Sequence, residues 1–356
     1  MSLQRQMMSW DWGMWKSKEP NHVRNAHIES IRRYGNHLKA ETGRAPDVTI
    51  MILTFRRPET LKNALESAIN QKFAGSYEII ISDDSGDVYD DYIETDKLAS
   101  EYCRKYANIV YYRHERNLGQ YANWNRAVEL CQSEWGGLLH DDDRLYPNYL
   151  SEMLATAQKH PKAGLIGSWF DSTDYPSSQL IQKSTKLFCA IRRGKPIVLG
   201  VVDSRNFIFP LCPGMFVNRE RFLDVGGLDD ISADIGFCSK MSHYHQSVFL
   251  PVVLSDNGTA GGGSLSFSQE ISNTFIISAY KLVYAICQDL GYSKRKCDKH
   301  ASRAALYGEI AARGYNNTDY TDVKMELGVA DKYCRPFAYR VESIRSKLMW
   351  GLLLFR

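Results

Sequence analysis

The sequence predicts an α/β protein with a mainly parallel central sheet that is flanked by helices. Residues 48–55, VTIMILTF, form an unbroken β-branched and apolar run, which is typical of a strand buried on both faces. Strand-like runs of this kind then alternate with helix-like segments along the chain. This alternation favours crossover connections between parallel strands.

The first strand–helix–strand unit covers residues 48–82. Pro58 is placed where a first helical turn tolerates its missing N–H, and Leu61, Leu65 and Ile69 follow at a spacing of four. Residues 77–82, YEIIIS, predict the next buried strand.

The alternation continues beyond this unit. Strands are predicted at 109–113 and 135–139, and helices at 121–131, after Pro147 and from Asn218. Helices are also predicted for 28–34 and for most of 271–330.

Three adjacent carboxylates, Asp141, Asp142 and Asp143, follow the strand at 135–139. Like charges this close repel one another, and a divalent cation that prefers oxygen ligands is the simplest stabilising partner. Ligands of open α/β sheets bind at the carboxyl ends of strands, where these acids are predicted to lie. The run therefore indicates a metal site, and the alternative is a solvated acidic turn.

From Val48 to about Ser264 the residues resemble the family 2 glycosyltransferases, which have the GT-A fold and are inverting, sugar-nucleotide-dependent enzymes. The motifs that carry the resemblance follow in order along the chain: Thr54 to Pro58, Asp83 to Ser85, Arg116 to Gly119, the acids at 141–143, and Gly226 to Asp230 followed by Ala233 and Asp234.

The resemblance implies roles for ten residues. It places Asp142 and Asp143 on a Mn²⁺ or Mg²⁺ ion that bridges the donor diphosphate, and it makes Asp234 the catalytic base, with Asp229 or Asp230 as alternatives. One acid of the Asp83–Asp84 pair accepts a hydrogen bond from the ring N–H of the nucleobase, while the other caps a turn. Which acid has which role stays open. The residues expected to bind the sugar nucleotide are Thr54, Arg56, Asp83, Asp84, Arg116, Asn117 and Asp141.

The chain departs from the family pattern at three places. His140 stands where many members have an aspartate, so it either packs at the strand end or contacts the donor. Ala233 replaces the usual glutamate before the base. Residues 254–264 contain no histidine to act as a further metal ligand, so that position falls to Asp256 or to water. On a strand, His243 and His245 would share a face, as two metal ligands can. Without a nearby cysteine or carboxylate pair, this spacing is weak evidence for a metal site.

Composition and charge narrow the classes of molecule that the protein is expected to bind. The 356 residues carry a net charge of +3, with 8 Lys/Arg against 4 Asp/Glu in 1–46 and 14 against 8 in 281–356. Because the basic ends lack interleaved aromatic residues, nucleic acid is a poor partner and an anionic membrane surface is a better one. The eight cysteines form no Cys-x-x-Cys pair, which is typical of reduced thiols in a cytoplasmic protein. We expect no signal peptide and no spanning helix.

The basic, amphipathic segment 340–356 predicts a helix that either lies on the membrane or docks on protein, including a second copy of the chain in a homodimer. Trp10, Trp12 and Trp15 near the start either pack on the catalytic domain or face lipid. The predicted organisation is an N-terminal helical extension (1–46), a GT-A catalytic domain (47–270) and a helical C-terminal region (271–356).

The expected function is transfer of a sugar from a nucleoside diphosphate donor, with UDP as the expected nucleotide, to a hydroxyl of a glycan or lipid-linked acceptor. The expected setting is bacterial surface polysaccharide synthesis, in the cytoplasm or at the inner face of the cell membrane. The alternative is a scaffold protein that binds sugar nucleotides without turnover.

Overall fold

The computed structural model of the chain describes residues 15–16, 18, 30–86, 92–171, 189–190, 192–201, 213–229, 233–257, 269–301 and 304. The strands in this part of the chain are β1 (Ser30–Tyr34), β2 (Val48–Thr54), β3 (Tyr77–Asp83), β4 (Ile109–His114), β5 (Trp135–His140), β6 (Arg144–Leu145), β7 (Ala163–Asp171), β8 (Ile197–Leu199), β9 (Met215–Asn218) and β10 (Gln246–Asp256). The helices include α1 (Leu38–Thr42), α2 (Pro58–Ile69), α3 (Tyr92–Lys105), α4 (Gln120–Leu130), α5 (Tyr149–Lys159), α6 (Arg219–Asp224), α7 (Ala233–Tyr244) and α8 (Gln269–Asp289).

The strands of the described residues form one mixed sheet in the order β1-β4-β3-β2-β5-β9-β7-β10-β6, with β8 beside β10. Strands β2 to β5 are parallel, and β7 is parallel to β10. The antiparallel strand β9 lies between β5 and β7 and joins the two parallel groups. The predicted α/β class and the main strands and helices of residues 48–159 are therefore confirmed.

The two faces of the sheet bury two separate cores, because alternate residues of a strand point to opposite faces. On one face, Ile50 and Ile52 of β2 pack with Leu61 and Leu65 of α2. On the other face, Met51 and Leu53 pack with residues of α4, α6 and α7. All seven residues of β2 are buried, as a strand covered on both faces requires.

The prediction of a helix over residues 28–34 is wrong. Residues Ser30–Tyr34 form β1, which pairs antiparallel with β4 and gives the sheet its edge. Residues 31–34, IRRY, alternate in burial, and the free edge of β4 offers backbone partners to this stretch. This long-range pairing overrides the weak helical pattern of the sequence. Part of the expected N-terminal extension thus belongs to the central sheet.

His243 and His245 do not lie on a strand, so the shared strand face considered for this pair is not formed. His243 lies in the last turn of α7, and its ring meets that of Trp15 at a centroid distance of 5.3 Å. His245 follows the helix, with Nε2 2.9 Å from Oδ2 of Asp224.

The ends of the described chain meet on α8. Trp15 is buried against Leu282 and Ile286, so this tryptophan packs on protein. None of the described helices combines the length and apolar character needed to cross a bilayer. Trp10, Trp12 and the tail at 340–356 lie outside the described residues.

Candidate active site

The predicted motifs meet at the carboxyl-terminal edge of the sheet, which is the side at which the parallel strands β2, β3 and β5 end. Strands β2, β3 and β5 are parallel neighbours, with Thr54 opposite Asp83 and Leu53 opposite His140 in the register. Their carboxyl ends therefore bring the Thr54, Asp83 and Asp141 motifs side by side, at the position where open α/β sheets bind ligands.

Asp141 is fully buried at the centre of this edge. Its Oδ2 accepts a 2.7 Å hydrogen bond from Oγ1 of Thr54, and its backbone N–H donates to the carbonyl of Leu53 at 3.1 Å. Burial raises the pKa of Asp141 to about 7, although the nearby Arg57 favours the carboxylate. Thr54 and Asp141, both predicted to bind the donor, are thus bonded to each other.

Arg57 bridges two of the three acids, and the sequence analysis did not single it out. Its guanidinium lies 2.6 Å from Oδ1 of Asp141 and 2.9 Å from Oδ2 of Asp142. Burial disfavours the cation, but the charges of Asp141 and Asp142 outweigh burial and raise the pKa of Arg57. The sequence feature that could have predicted this contact is the position of Arg57 in the Thr54–Pro58 motif, which lies at the same edge of the sheet as the acids.

His140, Asp142 and Asp143 form a group with metal-ligand geometry. One ligand atom from each residue lies within 4.8 Å of the others. The His140 ring packs on Trp124 at 4.9 Å between centroids, and its Nδ1 is 3.6 Å from Oδ2 of Asp143. Its Nε2 is buried and has no hydrogen-bond partner among the described residues.

The chemistry of this group fits a divalent ion. Burial lowers the pKa of His140, so the imidazole is neutral and keeps the lone pair that a metal ligand needs. Two carboxylates and one imidazole suit Mn²⁺, whereas Mg²⁺ prefers oxygen ligands. His140 therefore packs at the strand end, as expected, and also joins Asp142 and Asp143, which the sequence predicted as ligands. Asp256, at the end of β10 opposite Arg144, lies outside this group.

The two acids after β3 have different surroundings. Asp83 is fully buried and accepts hydrogen bonds from the Tyr111 hydroxyl at 2.8 Å and the Ser85 N–H at 2.9 Å. Asp84 accepts from the backbone N–H groups of Leu118 at 2.6 Å and Gly119 at 3.0 Å. Asp84 therefore caps a turn with both of its carboxylate oxygens.

The loop held by Asp84 carries Asn117, whose Nδ2 donates to Oδ2 of Asp84 at 3.1 Å. Burial raises the pKa of Asp84 to about 7. Gly86, with a φ of +69°, lies so near this loop that a Cβ there would be 3.2 Å from Cα of Arg116. Arg116 itself is exposed at the rim.

Arg56 has a left-handed backbone conformation with φ of +55°, which is uncommon for a residue other than glycine. Its N–H donates to Oγ of Ser85 at 3.2 Å, and its guanidinium lies 4.8 Å from the centre of the Phe55 ring. Phe55 is 40% exposed. The backbone strain at Arg56 thus lies where the first and second motifs touch.

The segment that leads to the predicted base is clamped by α4. The Asn125 side chain donates to the carbonyl of Leu228 and accepts from its N–H, both at 2.9 Å. Asp229 is buried, 4.0 Å from Nζ of Lys240, so this alternative base faces a cation. Asp234 lies in the first turn of α7, and its side chain and all of Asp230 lie outside the described part of the chain.

Comparison with known proteins agrees with this architecture. The chain superposes on the mannosyltransferase PcManGT from Pyrobaculum calidifontis, solved with GDP-Man and Mn²⁺, with a TM-score of 0.52 at 13% identity, covering 99% of this chain and 96% of that one. The fold and the edge that carries the acids thus define a protein of the GT-A class.

Sequence comparison gives the family. The model described as glycosyl transferase family 2 matches residues 49–210. An uncharacterized glycosyltransferase of Methanocaldococcus jannaschii, MJ1057, is 28% identical over 125 residues, which cover 35% of this chain and 41% of that protein. EpsH of Bacillus subtilis, provisionally named a glycosyltransferase, is 30% identical over 112 residues, or 32% of this chain and 30% of that protein. The matches span less than half the length of these relatives. Residues 49–210 of the chain therefore carry a glycosyl transferase family 2 domain.

Proposed function

We propose that the protein is an inverting glycosyltransferase that uses a nucleoside diphosphate sugar, with UDP as the nucleotide, and glycosylates a hydroxyl of a glycan or lipid-linked acceptor. The observation that carries the proposal is the meeting of His140, Asp142 and Asp143 with the Asp83–Asp84 motif at one sheet edge. A diphosphate and a nucleobase need these two kinds of subsite next to each other.

In this proposal His140, Asp142 and Asp143 hold the divalent ion, Mn²⁺ or Mg²⁺. When bound, such an ion offsets the negative charge that develops on the diphosphate leaving group. The chain's own part is to fix the ligands: Trp124 packs on the His140 ring, and the N–H of Asp143 donates to the carbonyl of His140 at 3.2 Å in a tight turn.

The nucleoside is assigned to the cleft between the Asp84 and Arg116 loops. Both oxygens of Asp84 already accept backbone hydrogen bonds, so the remaining acceptor capacity suits the single ring N–H of uracil better than the paired N–H groups of guanine. GDP is the discriminating competitor, because PcManGT was solved with GDP-Man.

Asp234 is the proposed base. Attack on the anomeric carbon requires the acceptor hydroxyl to lose its proton, and a carboxylate can accept it. Asp229 is the weaker candidate, because it is buried and its carboxylate faces Nζ of Lys240 at 4.0 Å. The proposed setting is bacterial polysaccharide synthesis on the cytoplasmic side of the membrane, with the basic tail as the contact to lipid.

Titration calorimetry tests the proposal. Three clustered carboxylates and a diphosphate repel each other unless a cation shields them, so we expect UDP to bind in Mn²⁺, to bind much more weakly in EDTA, and to be strongly weakened by Asp142→Ala. GDP should bind at least about tenfold more weakly, which corresponds to the loss of one good hydrogen bond. Equal UDP affinity with and without Mn²⁺ would contradict the metal bridge, and tighter binding of GDP would contradict the assignment of uridine.

A further inference from the structure

We propose that Arg57 is a donor-binding residue that exchanges partners. It neutralises Asp142 while no divalent ion is bound, and it turns to the diphosphate of the sugar nucleotide once the ion has taken Asp142. This inference rests on the proposed function, because it requires both an ion and a nucleoside diphosphate at the site.

The two bonds of Arg57 differ in how firmly their partners are held. Asp141 is fully buried and is fixed by Thr54, whereas the Asp142 side chain is 19% exposed. The Arg57 side chain is itself 35% exposed, so the Asp142 contact is the one that opens toward the cleft. Arg57 can keep its bond to Asp141 as a pivot while the other half of the guanidinium changes partner.

Asp142 belongs to two competing arrangements. Its Oδ2 lies 2.9 Å from Arg57, and the same carboxylate is one of the three members of the group with His140 and Asp143. A divalent ion and a guanidinium on one small carboxylate repel each other strongly at this burial. Binding of the ion therefore weakens the Arg57–Asp142 contact.

The charges at the site leave Arg57 a new partner. A divalent ion offsets the negative charges of Asp142 and Asp143. A diphosphate then adds negative charge that needs a further cation. Arginine suits this task, because its planar fork binds phosphate oxygens in pairs. Arg57 also directly precedes the first turn of α2, whose twelve-residue dipole favours an anion at the same end.

The test compares wild type with Arg57→Gln in two titrations: Mn²⁺ alone, followed by the paramagnetic resonance of free Mn²⁺, and UDP at saturating Mn²⁺, followed by calorimetry. Without the competing guanidinium, Mn²⁺ alone should bind several-fold more tightly to Arg57→Gln. UDP should bind about tenfold or more weakly, because a charge-assisted phosphate contact is lost. Lys62→Gln is the matched control, since it removes a positive charge from an exposed position on the same helix and should change neither value.

The diagnostic result is that the affinities for Mn²⁺ and for UDP change in opposite directions in Arg57→Gln. If Arg57 only braces Asp141, its loss lowers the melting temperature and weakens both ligands together, and that outcome overturns the exchange, as does an unchanged pair of affinities. Arg57→Lys keeps the charge and serves if Arg57→Gln does not fold; it should shift both affinities in the same opposite directions by a smaller factor. Wild type that binds no UDP in Mn²⁺ defeats the proposed function and this inference together, whereas wild type that binds both ligands while the variants lack opposite shifts defeats the exchange of Arg57 alone.

Discussion

A small network of buried polar side chains lies beside the site. His114 and Ser82 both lie against Oδ1 of Asn123, at 2.9 Å and 2.7 Å, and Asn123 donates back to the carbonyl of Ser82 at 3.2 Å. Because the members satisfy one another, the network fixes the ends of β3 and β4 against α4 without leaving an unpaired polar group. Burial lowers the pKa of His114 from 6.5 to about 4, which makes this residue a source of acid sensitivity.

We predict that His114 accounts for a measurable part of the loss of stability in acid. Below its usual pKa of 6.5 the unfolded chain takes up a proton at His114, while the folded chain does so only near pH 4, so stability falls as the pH falls through this window. The full shift corresponds to about 3 kcal/mol. His114→Gln can keep the bond to Asn123 and should flatten the denaturant-derived stability curve between pH 6.5 and 4.5. Parallel curves for wild type and variant would contradict the assignment.

At the scale of elements, α4 holds the backbone segment that precedes α7. Asn125 of α4 holds the backbone of Leu228, and Gly227, with φ of +68°, fits against Asn125 so closely that a Cβ there would clash with Oδ1. Further along the chain, the first turn of α7 contains Asp234.

We predict that Asp234→Asn separates catalysis from binding. The amide keeps the shape of the side chain but has no useful basicity, so sugar transfer should fall about 10²- to 10⁴-fold while UDP affinity in Mn²⁺ stays within a few-fold. The control is Glu220→Gln, which changes an exposed acid on the neighbouring α6 and should leave both values unchanged.

Transfer by Asp234→Asn at the wild-type rate would move the base elsewhere, with Asp229→Asn and Asp230→Asn as the next variants. A wild-type protein that binds UDP but transfers to no acceptor would instead support the scaffold alternative.

At the scale of the whole molecule, the described N-terminal residues return to the body of the protein. Trp15 is buried against α8, and Lys18 forms a 2.9 Å ion pair with Asp224. Six cysteines of the described chain carry free thiols, so the described fold is stabilised by packing and hydrogen bonds without a disulfide. For the tail at 340–356 both predictions stand, contact with the membrane and docking on protein.

We predict that removal of residues 340–356 reduces sedimentation with anionic liposomes and leaves hydrolysis of the donor nearly intact. Apolar residues at helical spacing and three basic side chains favour an anionic surface, and they lie far along the chain from the site residues. Replacing Arg340, Arg345 and Lys347 together by Gln should give most of the same loss, which isolates the charge contribution. Equal liposome binding by all forms, or a change of oligomeric state after truncation, would favour docking on protein.

The sequence by itself determined the α/β class, the strand–helix alternation of residues 48–159 and the motifs that meet at the sheet edge. These follow from local periodicity and from the rule that parallel strands align their carboxyl ends. The three adjacent acids also indicated a metal site, because like charges this close need a cation, and the family resemblance assigned Asp142 and Asp143 to it.

Only the tertiary structure decided the contacts that depend on distant partners. Residues 30–34 became a strand because the edge of β4 was free, and Asp84 became the turn cap because residues 117–119 present their N–H groups to it. Arg57 reaches Asp141 and Asp142 across 84 and 85 positions of chain, a proximity that no local pattern encodes. Residue types and spacing specify local geometry, whereas pairing between remote segments is settled by the packing of the whole sheet.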